Sequence, residues 1–75
     1  MSESQEASTK EIGAAIREAR LALKLSQNDL ARLARTTVTS VSRIECGDQR
    51  PGRKLAPALA RALDLDLGFL LAAAS

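Results

Sequence analysis

The stretch from Ser26 to Gly47, SQNDLARLARTTVTSVSRIECG, constrains the chain most, because it holds two helix starts less than an ordinary helix apart. Ser26 is a good N-cap, Asp29 stands at the third helical position behind it, and Leu30, Ala31 and Ala34 form a short apolar face. The polar, β-branched run Arg35-Thr36-Thr37 then breaks the pattern. Thr37 can cap a new helix whose inward residues are Val41 and Ile44, and Gly47 supplies a left-handed stop. The spacing predicts a helix over 27–34, a turn of three to four residues, and a helix from Thr37 to Gly47.

The flanks read the same way. Ser8 and Glu11 form a capping box, and Ile12, Ala15, Ile16, Ala19 and Leu23 recur at three- and four-residue spacing, predicting a first helix over about 9–24. Residues 1–8 ahead of it are polar and unpatterned, and read as a flexible tail before a single domain over 9–75. Pro51-Gly52 marks the segment 48–54 as a loop. Pro57 is tolerable only in a first turn, so the fourth helix is expected from near 54 to near 63, with Leu55, Leu59, Ala62 and Leu63 inward. Leu65, Leu67, Phe69 and Leu71 alternate as in a strand, yet Asp66 is a good N-cap and Leu65 and Leu70 fit the positions of a hydrophobic staple. A fifth helix over about 67–73 is favoured, and a strand stays open.

Apolar content comes almost wholly from Leu, Ala, Ile and Val, with Phe69 as the single aromatic, which favours an all-α, compact five-helix bundle. A domain this small buries only about 60% of its unfolded surface, so association should help it. Several function classes fall away. Cys46 stands alone and there is no His, so no disulfide framework, zinc site or Cys/His nucleophile can be assembled. No Gly-rich phosphate loop is present, and no catalytic role, metal or cofactor is expected. No apolar run approaches the roughly 18 residues of a membrane span and no signal pattern opens the chain, so a cytoplasmic protein away from the membrane is expected.

Charge placement is more telling than the net +2. Glu3 and Glu6 sit in the tail, so residues 9–75 hold all eleven basic residues against the remaining seven of nine acids. Arg32, Arg35, Arg43, Arg50, Arg53 and Lys54 suit a phosphate-facing surface, although an ordinary solvated face would look similar.

Two short helices with a tight turn between them, the second capped and polar on its outer side, make a helix-turn-helix. The segment SQNDLARLARTTVTSVSRIECG also resembles that of the Xre/Cro/lambdoid-repressor family, with Gln opening the first of the two helices, Leu-Ala packing it and an I-E-x-G sequence closing the recognition helix. The similarity runs from about Ile12 to Leu71 and implies a double-stranded DNA-binding regulator. It implies that Gln27 contacts phosphate, and that Thr37, Val38, Thr39, Ser42 and Arg43 face the major groove. Val38 and the Thr39 methyl can pack on thymine methyls, the Thr39 hydroxyl can bond either a donor or an acceptor, and Arg43 can reach guanine or phosphate. Arg50, Arg53 and Lys54 correspond to a backbone-gripping segment, and Arg20 and Glu45 to a structural ion pair. Arg35 departs from the family, which usually has Gly in that turn, and Cys46 stands where a polar or basic residue is common.

The apolar Leu67, Phe69, Leu70 and Leu71 exceed what a terminal segment of so small a domain needs, and the resemblance implies that they form a homodimer interface. A two-fold dimer would place two recognition helices about 34 Å apart on a palindromic operator, as a repressor does. Some of the four could instead complete the monomer core. An antitoxin that binds its toxin and controls its own operon is the alternative, kept open by the strand pattern. A protein-bridging adaptor is a third reading, and RNA binding is disfavoured because one Phe offers no stacking platform.

Overall fold

The computed structural model describes residues 8 to 72, so the tail over residues 1–7 and the residue expected to end the last helix, 73, lie outside the described residues. The chain folds as α1 (Thr9–Ala22), α2 (Gln27–Leu33), α3 (Val38–Cys46), α4 (Gly52–Leu63) and α5 (Leu67–Ala72). Among the described residues there is no strand, and no helix is long and apolar enough to cross a membrane.

The starts follow the side chains that can cap them. Ser8, read from the sequence as the start of a capping box, is the N-cap of α1: its Oγ accepts from the Glu11 N–H at 3.0 Å, and Glu11 accepts from the Ser8 N–H at 2.9 Å. Ser26 and Asp29 repeat this box at α2, at 2.9 and 3.0 Å, so a carboxylate one methylene shorter than Glu closes it as well. Thr37 caps α3 by accepting from the Ser40 N–H at 3.0 Å. Gly47 ends α3 with φ 85°, in the region where a side chain is disfavoured. Three further turns use non-glycine residues there: Lys24, Arg35 and Asp64, with φ near 60°.

One boundary needs correction. The fourth helix begins at Gly52, so Arg53 and Lys54 lie on its first turn rather than in a loop. Pro57 consequently stands in the second turn, where its ring nitrogen cannot donate to the Arg53 carbonyl. Burial of Ala56, Leu59 and Leu63 outweighs that one missing bond. The strand left open for residues 65–71 does not form and the favoured fifth helix does, from Leu67, with Asp66 Oδ2 accepting from the Phe69 N–H at 2.8 Å.

Every helix contributes to one core, made of Ile12 and Ile16, Leu30, Ala31 and Ala34, Val41 and Ile44, Ala56, Leu59 and Leu63, and Leu70. Leu55 and Ala62 are only half-buried, whereas Ala56, which the periodicity did not single out, is fully buried.

Candidate nucleic-acid interface

The apolar pair Val41 and Ile44, each 1% exposed, fixes the rotation of α3 about its axis. At 100° per residue, Thr39, Ser42 and Arg43 must then fall on the outward side, with Val38 at about 90° from the buried pair, on the edge of that face. Val38, Thr39 and Arg43 are exposed, and Ser42 is half-buried. Val38 is the exposed large apolar side chain of α3 among the described residues and suits an apolar contact there. Thr37 is exposed as well, but its hydroxyl is engaged in the cap, which leaves its methyl as the free part.

The other end of α3 is held by polar bonds. Glu45 accepts from Arg20 Nε at 2.7 Å and from Arg20 Nη2 at 3.0 Å, while Arg20 Nη1 donates to the Leu25 carbonyl at 2.8 Å. The side chains of this pair are 9% and 3% exposed. The hydrogen bond to Glu45 holds the Arg20 guanidinium above its ordinary pKa, against the opposing effect of burial. The expected ion pair therefore joins α1, the α1–α2 turn and the end of α3.

Gln27 is placed differently from the expectation. Its Nε2 donates to Glu45 Oε1 at 3.1 Å and its side chain is half-buried, so the amide is part of the same network rather than presented freely at the start of α2. Sequence spacing gave no sign of this, because positions 27 and 45 meet only when α2 packs across α3. Gly13 was also missed. A Cβ there would overlap the Ile44 carbonyl oxygen and lie 2.9 Å from that of Glu45, so α1 and α3 approach backbone to backbone. A lone Gly within an otherwise good helix-forming run was the available signal.

Arg50, Arg53 and Lys54 are all exposed. Arg50 Nε reaches the Thr9 hydroxyl at 3.4 Å, which leans the loop toward the start of α1. Arg53 and Lys54 occupy the first turn of α4, which contains no acidic residue. Cations there oppose the helix dipole, so their placement gives α4 no help in folding.

The terminal apolar set divides. Leu70 is 1% exposed and belongs to the protomer core, which corrects its expected place at a dimer interface. Leu67 is 39% exposed, and Phe69 and Leu71 are half-buried. Cys46 is exposed with its thiol free.

Comparison with known proteins agrees with this architecture. The sequence model of the helix-turn-helix family matches residues 16–70. The restriction-modification controller protein C.AhdI from Aeromonas hydrophila is 32% identical, with a TM-score of 0.75 over 83% of this chain and 94% of that one. The P22 c2 repressor, solved in complex with a synthetic operator, is 27% identical, with a TM-score of 0.76 and the same coverage of both chains. The clp gene regulator ClgR from Corynebacterium glutamicum shares the fold at 24% identity, with a TM-score of 0.72 over 84% of this chain and 82% of its own. A comparison with curated protein sequences finds no match. The capped α2–turn–α3 unit, the Arg20–Glu45 pair behind it and the family match over most of the chain lead to one conclusion: this is a DNA-binding transcriptional regulator of the Xre/lambdoid-repressor-type helix-turn-helix family.

Proposed function

We propose that the protein is a repressor that acts by binding alone, as a cytoplasmic homodimer on a palindromic operator. The observation that carries this reading is the division of α3: Val41 and Ile44 are buried while Val38, Thr39 and Arg43 are exposed beside them. Val38 and Thr39 read base edges from the first turn, the former by apolar contact with thymine methyls. Arg43 and Ser42 reach base or phosphate one turn on, and Thr37 contributes its methyl. Arg53 and Lys54, on the turn of α4 where cations oppose the dipole, clamp the DNA backbone, and Arg50 extends the clamp. Gln27 reaches phosphate by exchanging its bond to Glu45. Leu67, with the exposed parts of Phe69 and Leu71, forms the two-fold interface. The operator complex of the P22 c2 repressor supports the DNA-bound pose by likeness. The strand that favoured an antitoxin is absent from the described residues, so no observation favours that alternative.

Selection from a random duplex pool tests the reading. A two-fold symmetric motif is expected, and a pool with no enrichment, or an asymmetric single half-site, would overturn it.

A further inference from the structure

A groove of about 570 Å³ runs between the end of α2 and the middle of α4, lined by Leu33, Ala34, Arg35, Ala58, Arg61 and Ala62. It continues past Arg35 and Ala58 into a second hollow that adds Thr36, Lys54 and Leu55. The side chains of α3 line neither part, so the groove is separate from the reading edge.

Its chemistry is specific. The floor is alanine, from Ala34, Ala58 and Ala62, which lets another backbone come close. One wall is Leu33, 57% exposed and the most exposed large apolar side chain among the described residues. The rims are cationic at Arg35 and Arg61, with Lys54 at the far end, and no carboxylate lines either hollow. None of these three cations takes part in an ion pair among the described residues. Arg35 is held at the rim by the left-handed backbone of the turn, φ 58°, where glycine would adopt the same turn without a charge. A phosphate backbone would match the arginines but leave Leu33 and the alanine floor unmatched.

We propose that this groove is a docking site for an acidic amphipathic helix of a partner protein, with small apolar residues on the alanine floor and carboxylates against Arg35 and Arg61. The docking contacts lie in the hollow lined by Leu33, Arg35 and Arg61, which leaves α3 and Lys54, placed above on the DNA backbone, to the duplex, and this inference does not depend on how the operator is read.

The test uses a helix-forming peptide of about 18 residues, with Ala and Leu on one face and Glu along both flanks, titrated into the labelled full chain. The expected result is saturable binding with NMR shifts centred on Ala34, Ala58 and Ala62. Binding should weaken at least tenfold in both Arg61→Glu and Leu33→Ser, two exposed positions where folding should survive. A version with Lys in place of Glu should not bind. The proposal is overturned if the Lys version binds equally, or if the shifts centre on Val38 to Arg43. It is overturned equally if Arg61→Glu weakens duplex DNA binding, which makes the rim a phosphate clamp. Conversion of a dimer to a monomer by either variant would assign the groove to a second copy instead.

Discussion

Arg20 grips Glu45 with two nitrogens, at 2.7 and 3.0 Å, so the last turn of α3 is fastened to α1 by a fork rather than by a single contact. Planar guanidinium against planar carboxylate fixes direction as well as distance. The pair is almost fully withdrawn from water, so removing either partner strands a charge. Arg20→Ala should lower stability by about 3 to 5 kcal/mol in denaturant unfolding. A loss under 1 kcal/mol would mean that the pair is effectively solvated.

Gly13→Ala should be destabilising although alanine is the better helix former. The added methyl meets two backbone carbonyls, of Ile44 and Glu45, which cannot swing aside as a side chain can. A loss of about 1 to 3 kcal/mol is expected from overpacking. The variant should also bind specific duplex less tightly after correction for its unfolded fraction, because relief requires moving the end of α3. Unchanged stability together with unchanged binding would contradict the close approach.

Arg35→Gly should act in the opposite direction. A left-handed conformation is disfavoured for a residue with a Cβ by roughly 1 to 2 kcal/mol, while glycine's freedom in the unfolded chain returns part of that. A net gain of about 0.5 to 1 kcal/mol is expected in thermal unfolding, with the α2–α3 geometry preserved.

At acid pH the start of α2 should loosen. The Ser26 N–H donated to Asp29, followed by the Ser26 hydroxyl, lowers the Asp29 pKa below its ordinary value. A carboxyl depressed in the folded state stabilises above its unfolded pKa and loses that contribution as pH falls through the lowered value. The stability difference between wild type and Asp29→Asn should therefore shrink as pH drops below the usual aspartate range. A difference that stays constant to the lowest pH at which the chain folds would rule this out.

Thr39→Ala and Arg53→Ala separate reading from gripping. The first should relax preference at one base position by about 1 to 3 kcal/mol and leave random DNA unaffected. The second should weaken specific and random sequences alike and reduce the slope of log affinity against log salt by about one. Equal effects of Thr39→Ala on both kinds of DNA would remove its reading role.

What the sequence disclosed and what it concealed divide along a physical line. Local signals were legible: Ser8 with Glu11, Ser26 with Asp29, Thr37 and Gly47 mark helix ends because their chemistry acts within four residues. The Arg20–Glu45 pair was legible through family likeness alone. Contacts between elements were not. Gln27 on Glu45 and Gly13 under Ile44 depend on how helices cross, which periodicity does not encode. Pro57 was misplaced for a related reason: a local penalty was read as decisive where tertiary burial of Ala56 and Leu59 overrides it. Leu70 shows the limit of counting apolar residues, since its neighbours Phe69 and Leu71 share its chemistry and differ only in what the core leaves them.

The split of α3 into buried Val41 and Ile44 and exposed Val38 and Thr39 bears on how such a protein can diversify. Substitutions at the exposed positions touch no core packing, so they change stability by little, within about 0.5 kcal/mol for ordinary surface sites. Under the proposed reading roles of Val38 and Thr39, new target sequences are reachable by single steps through folded intermediates, without a compensating change elsewhere. Thr37 is the exception: as the cap it is tied to folding, so drift at the reading edge should pass through Val38 and Thr39 before it reaches Thr37.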